Sequence, residues 1–174
     1  MQKWLIVIIV VLVAIFGSLF LIGSLLPQNH TASRTAQLKQ PPERVWSTIT
    51  GIAEFPTWRP DVKSVEMLPA HDGKLVWREV SEKGNKLTFE AEAFEPPRHL
   101  VTRIADKDLP FGGSWDYLIS PDSGGSRITI TEHGEVYNPI FKVVTRFMSK
   151  TATIDAYLTA LAAKLGDSYT PRGP

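Results

Sequence analysis

The sequence predicts an α+β protein: an antiparallel sheet of about seven strands, two short helices after the first strand and a long C-terminal helix, all preceded by one transmembrane helix. Three observations predict it. An uncharged apolar run extends from Trp4 to Leu26. From Val62 to Val136, six consecutive segments alternate in hydropathy with period two and are separated by turn-forming residues. From Phe147 to Leu165, apolar residues recur at spacings of four and three, which gives a helix one greasy face.

As a helix, the first run covers roughly 34 Å, slightly more than the hydrocarbon thickness of a bilayer. Its mostly β-branched centre, Leu5 to Val13, would weaken a helix in water but not in lipid, where the backbone must satisfy its own hydrogen bonds. A secretory signal has a shorter apolar region and a small-x-small cleavage site. Pro27-Gln28-Asn29-His30-Thr31-Ala32 offers no such site, so the run is read as an uncleaved anchor. Basic residues near its ends are nearly balanced, Lys3 against Arg34 and Lys39. The short positive lead favours keeping the N-terminus in the cytoplasm and the domain on the extracytoplasmic side of the cytoplasmic membrane. The layout is then an anchor over 1–26, a linker over 27–33, a folded domain over 34–166 and a flexible tail over 167–174.

Arg34 to Lys39 reads as the first strand. Pro41 and Pro42 open a helix over Glu43 to Thr50 that ends at Gly51, with Val45 and Ile49 on one face. Ile52 to Arg59 reads as a second short helix limited by Pro56 and Pro60. The six alternating segments are Val62 to Leu68, Lys74 to Ser81, Leu87 to Phe94, His99 to Ala105, Ser114 to Ser120 and Arg127 to Val136. Their links, such as His71-Asp72-Gly73 and Lys83-Gly84-Asn85, are short enough to join antiparallel neighbours. Asn138 caps a final helix of about 27 residues that closes at Gly166, with Phe147, Thr151, Ile154, Leu158, Leu161 and Leu165 along one face.

Composition excludes several functions. With 19 Lys+Arg against 18 Asp+Glu, and Lys3 alone before Pro27, the domain itself is balanced in charge, which disfavours nucleic acid as a partner. The absence of Cys removes thiol nucleophiles, disulfides and thiolate metal sites. His30, His71, His99 and His133 show no metal-ligand spacing and read as surface residues. Gly112-Gly113 and Gly124-Gly125 do not open helices and are not phosphate loops. No metal or other cofactor is expected, and no protein partner can be named.

This order of elements resembles the START-like (SRPBCC) superfamily, in particular its polyketide cyclase/dehydrase-like members. The resemblance is carried by Pro42-Glu43-Arg44-Val45-Trp46, Phe55-Pro56-Thr57-Trp58, Phe94-Glu95-Pro96-Pro97-Arg98 and Thr131-Glu132-His133-Gly134-Glu135-Val136, over residues 33 to 165. It implies a helix-grip (Bet v 1/START-like) fold, in which a curved sheet wraps the C-terminal helix around a cavity for an apolar or amphipathic ligand. The superfamily spans lipid transfer, small-molecule binding and aromatic cyclisation, so the resemblance alone does not choose an activity.

Strand parity selects the side chains for such a cavity. Leu87, Phe89, Ala91 and Ala93 share one face, opposite Thr88, Glu90 and Glu92. Leu75, Trp77 and Glu79 share another, as do Trp115, Tyr117 and Ile119. The candidate ligand-binding set is Trp58, Trp77, Glu79, Phe89, Ala91, Trp115, Tyr117, Glu132 and Phe147. Glu132 shares the face of Ile128 and Ile130, which would bury a charge unless it is paired or neutralised. Glu132 and Glu79 are therefore the weak catalytic candidates, with Arg103 or Arg78 as conceivable partners. Glu132 and His133 point to opposite faces and cannot act as a dyad. Three readings stay open: a membrane-anchored module that binds a hydrophobic or lipid-like molecule, a cyclase or dehydratase on a hydrophobic substrate, and an interaction or stress scaffold with a vestigial cavity.

Overall fold

The computed structural model describes residues 2–171. Helix α1 (Gln2–Leu25) is long and apolar enough to cross a membrane. From residue 3 to 25 every position is exposed except Leu19 and Gly23, one turn apart. At Gly23 a Cβ would collide with the backbone of Pro139, so the end of α1 packs closely on the start of a later helix.

Strand β1 (Asn29–Leu38) follows almost at once. Residues 29–33, assigned to a linker for want of periodicity, are in fact strand. They lie on a sheet edge, where the outward hydroxyls of Ser33 and, two residues on, Thr35 meet Thr131 and Thr129 across the ladder at 3.1 and 2.9 Å. Helix α2 (Pro42–Thr50) and a 3₁₀ segment (Ile52–Thr57) come next. Then follow β2 (Val62–His71), β3 (Lys74–Ser81), β4 (Lys86–Glu95), β5 (His99–Ile104), β6 (Phe111–Asp122) and β7 (Gly125–Val136). All pairs are antiparallel, in the order β1-β7-β6-β5-β4-β3-β2, so β1 and β2 form the two edges of a curved seven-stranded sheet. The α+β, helix-grip architecture is the one read from the sequence.

The closing helical region differs in its continuity. It is split into α3 (Pro139–Thr145), capped by Asn138 through its Oδ1 and the Phe141 N–H, and α4 (Ala152–Lys164). Val143, Val144 and Thr145 are poor helix formers, and Ser149 Oγ accepts from the Thr151 N–H at 3.4 Å, so local side-chain bonding competes with the helix over 146–151. Helix α4 then buries Ile154, Leu158, Leu161 and Ala162 completely or nearly so. It packs on β1 and β7, against the fully buried Ile128 and Ile130. At roughly 1.5–3 kcal/mol for each large apolar side chain removed from water, this face holds α4 to one side of the sheet.

The chain after α4 is not free. Asp167 accepts from the Lys39 N–H at 2.9 Å, and Tyr169 packs on the core and donates to Asp155 Oδ1 at 2.7 Å. The expected flexible tail is thus docked at residues 167 and 169; residues 172–174 lie outside the described part. Asp155 also accepts from Arg34 Nε at 3.1 Å. Burial works to raise the Asp155 carboxyl, but hydrogen bonds from Tyr169, Thr151 and Arg34 outweigh it and hold its pKa below the ordinary value. A carboxyl lowered by folding stabilises the fold above its unfolded pKa of about 3.9, and that contribution disappears as pH falls through the folded value. Asp155→Asn is expected to cost roughly 1.5–3 kcal/mol near neutral pH and progressively less below about pH 4. Urea unfolding at several pH values measures the difference.

Candidate functional site

Because α4 is seated over β1 and β7, the concave face of β3 to β6 stands away from it. The space between measures about 510 Å³, and a smaller one of about 80 Å³ shares part of its lining. Arg59, Glu79, Phe89, Trp115, Tyr117 and Tyr157 line both. The larger volume lies within the usual range for small-molecule sites, roughly 300–1,000 Å³.

The wall is aromatic because alternate residues of three strands face inward. Trp77 of β3 stacks on Phe89 of β4, with centroids 5.7 Å apart, and Phe89 tilts against Trp115 of β6 at 6.1 Å. Ala91 and Thr102, which pair with each other across β4 and β5, are the small residues beside this row, and both border the smaller space. A second aromatic row runs from the sheet to α4, with Tyr117 against Tyr157 at 5.6 Å and Tyr157 against Trp58 at 5.4 Å.

One buried ion pair sits in this wall. Arg59, just after the 3₁₀ segment, donates from Nη1 to Glu79 Oε1 at 3.0 Å and from Nη2 to Asp61 Oδ2 at 2.7 Å. Its guanidinium lies over the Phe55 and Tyr157 rings at 5.0 and 5.4 Å, favourable cation–π positions. Burial opposes its charge, yet Glu79 and Asp61 raise its pKa above the ordinary arginine value, so it is always charged. Glu79 Oε1 accepts a second bond from Trp77 Nε1 at 3.0 Å. Burial pushes the Tyr117 phenol up to about 12, against the opposing pull of Arg59, and the same leading cause holds the Tyr157 phenol well above its ordinary value. Both phenols stay neutral at physiological pH.

Glu132 has a parallel arrangement on the other side of Trp115. Its Oε2 accepts from Trp115 Nε1 at 2.9 Å and from Thr153 Oγ1 at 2.6 Å, and its Oε1 is 3.3 Å from His30 Nε2. His30, read as a surface linker residue, therefore belongs to β1 and to this cluster. Its imidazole occupies the place where Gly134 would carry a Cβ. Gly134→Ala is expected to expel the ring and cost about 1–3 kcal/mol, with most of the loss recovered in Gly134→Ala/His30→Ala. Thermal melts of the two variants measure this.

The sequence-derived candidates thus separate into groups. Trp77, Glu79, Phe89, Ala91, Trp115 and Tyr117 border the space between sheet and helix. Trp58 stands one layer behind, edge-on to Phe55 and Tyr157. Glu132 is buried on the inner face of the sheet but does not border the aromatic space; it bonds to Trp115 and Thr153, which do. Phe147 is 87% exposed in the break between α3 and α4 and is not part of the wall. Its spacing matched the helical face only because the periodicity was continued through residues that are not helical.

Ala93 is also displaced from the expected inward face. The ladder shifts register between Ala91 and Ala93, which leaves Glu92 as an extra residue and turns Phe94 toward the smaller space. The expected arginine partners are elsewhere: Arg103 pairs with Glu92 and Glu135, and Arg78 with Glu66. Arg59, Tyr157, Thr153 and His30 are the residues that sequence reasoning missed. Tyr157 had a signal, three residues after Ile154 on the apolar face of the helix; the others did not.

A curved antiparallel sheet gripping a C-terminal helix is the architecture of the START-like class. Within it, residues 29–166 match the sequence model of the polyketide cyclase / dehydrase and lipid transport family, and the chain belongs to that family. Solved structures agree on the fold. The Zhui aromatase/cyclase from Streptomyces sp. R1128 is similar with a TM-score of 0.63 at 14% identity, over 79% of this chain and 94% of that one. A START superfamily protein from Mycobacterium smegmatis is similar with a TM-score of 0.61 at 19% identity, over 79% and 97%. The di-domain ARO/CYC BexL from the BE-7585A biosynthetic pathway reaches 0.65 at 12% identity over 87% of this chain, which spans about half of that protein, 53%. No curated protein sequence matches the chain.

Proposed function

We propose that this protein is a membrane-anchored binding module that holds a hydrophobic or amphipathic, lipid-like small molecule between its sheet and α4. The observation that carries this reading is the aromatic lining of the space of about 510 Å³. An apolar molecule placed there displaces water from Phe89, Trp115, Tyr117 and Tyr157, the main source of binding energy in such sites. A polar end would meet the Arg59–Glu79 pair, which lines both spaces. The family includes cyclases and dehydrases as well as lipid carriers, but a catalytic carboxylate must be able to exchange a proton with its substrate. Glu79 and Glu132 each accept an indole N–H and each stand beside a basic side chain, which suits them to fixing the wall.

The anchor in this reading is α1. Its apolar side chains are exposed along nearly the whole helix, so it is not the core helix of a soluble domain, and a bilayer would cover them. Only Leu26, Pro27 and Gln28 separate it from β1, which holds the domain at the membrane surface. The positive Lys3 favours the extracytoplasmic side for the domain. N-terminal sequencing of the membrane-bound protein distinguishes a retained anchor, which begins before Trp4, from a cleaved signal, which would leave a mature chain starting after Leu26.

The binding reading is tested on the full chain by tryptophan fluorescence with a bromine-labelled fatty acid. Saturable quenching of Trp77 and Trp115, relieved by Trp→Phe replacement at each, is expected. Quenching that is unsaturable and confined to Trp4 would contradict it.

A further inference from the structure

We infer that the break between α3 and α4 is a second membrane contact, which docks on anionic lipid headgroups beside the anchor. This rests on the reading of α1 as a spanning helix. Three observations carry it. The first is position: Gly23 of α1 packs on Pro139, and Lys142 Nζ donates to the Leu26 carbonyl at 3.3 Å, so α3 starts level with the end of the apolar span. The second is the exposure of apolar side chains where a soluble protein would not place them: Val144 is 50%, Met148 60% and Phe147 87% exposed. The third is charge. Lys142, Arg146 and Lys150 lie among these residues, no acidic residue occurs from Tyr137 to Ile154, and among the described residues none of the three pairs with a carboxylate.

A segment with protruding apolar side chains flanked by lysine and arginine, fixed at the height of the headgroups, fits a bilayer surface of negative charge. Phe147 and Met148 enter the acyl boundary and the three cations take lipid phosphates. The same three cations line a recess of about 250 Å³ together with Leu26, His30 and Glu132. Thr153 borders both that recess and the aromatic space. Docking here turns the recess toward the headgroups and puts the binding space one side chain away from the bilayer.

The chain has no cysteine, so single-cysteine variants for spin labelling need no background replacement. Phe147→Cys, His71→Cys and Leu12→Cys are each made in the full chain and reconstituted in phosphatidylcholine vesicles with and without phosphatidylglycerol. All three positions are exposed, so labelling does not disturb a packed core. The label at 147 is expected to be reached by oxygen more than by a water-soluble nickel complex in the anionic vesicles. It should shift toward water in the neutral vesicles and in the Lys142→Gln/Arg146→Gln/Lys150→Gln background, while the label at 71 stays in water throughout. A label at 147 as water-exposed as that at 71, or an insertion indifferent to lipid charge, overturns the proposal. If the label at 12 is in lipid and that at 147 in water, the docking alone fails; if the label at 12 is also in water, the spanning helix fails and the docking with it.

Discussion

Arg59→Met is expected to remove about 3–5 kcal/mol of stability. The reason is that Glu79 is buried, with its side chain only 10% exposed, and without the guanidinium its charge keeps a single indole hydrogen bond. Typical domains have a total of about 5–15 kcal/mol, so the variant would unfold at a much lower denaturant concentration. Asp61 loses the same partner but is 65% exposed, so its share is small. The double variant Arg59→Met/Glu79→Gln removes the unpaired charge while the Gln carbonyl still accepts from Trp77. It should recover about 2 kcal/mol of the loss in equilibrium unfolding. Equal losses in the single and double variants would mean that Arg59 acts through packing on Phe55 and Tyr157 and not through Glu79.

Ala156→Trp is expected to abolish uptake of an apolar probe, lowering affinity at least about tenfold, with stability changed by no more than about 0.5 kcal/mol. Ala156 borders the larger space yet is exposed on α4, so an indole there fills the opening without displacing packed residues. The inner position gives a contrast. Ala91 is 6% exposed beside a space of only about 80 Å³, and Ala91→Trp should overpack the core and cost about 1–3 kcal/mol in addition to any loss of binding. Probe titration and thermal melting on both variants separate a blocked site from a damaged fold. Unchanged binding by Ala156→Trp would place the ligand somewhere other than this space.

The strands from β2 to β7 were legible because one face of the sheet is buried and the other wet, and hydropathy records that difference residue by residue. The first half of β1 was not legible. Asn29 to Ser33 owe their conformation to backbone pairing with β7, and an edge strand with polar side chains leaves little trace in hydropathy. Parity on β3 and β6 placed Trp77, Glu79, Trp115 and Tyr117 correctly on one face, but on β4 it held only as far as Ala91, since the bulge at Glu92 resets it. The partners of the two buried carboxylates come from distant parts of the chain. Arg59 reaches Glu79 from an irregular segment, and His30 reaches Glu132 from the opposite end of the sequence. Parity can say that a carboxylate is buried; which cation meets it is decided by how the elements pack. The break over 146–151 was hidden because Phe147 fell in phase with the face of α4 by chance.

An apolar molecule held between the sheet and α4 would leave a covalent trace there. Photocrosslinking tests it most directly: the full chain in vesicles is irradiated with a diazirine fatty acid and the labelled positions are mapped by mass spectrometry. Labels on Phe89, Trp115, Tyr117 and residues 152–157, reduced by Ala156→Trp, are the predicted result. Labels confined to α1 and residues 144–148, with none on the concave face of the sheet, would mean that no ligand enters the space beneath α4.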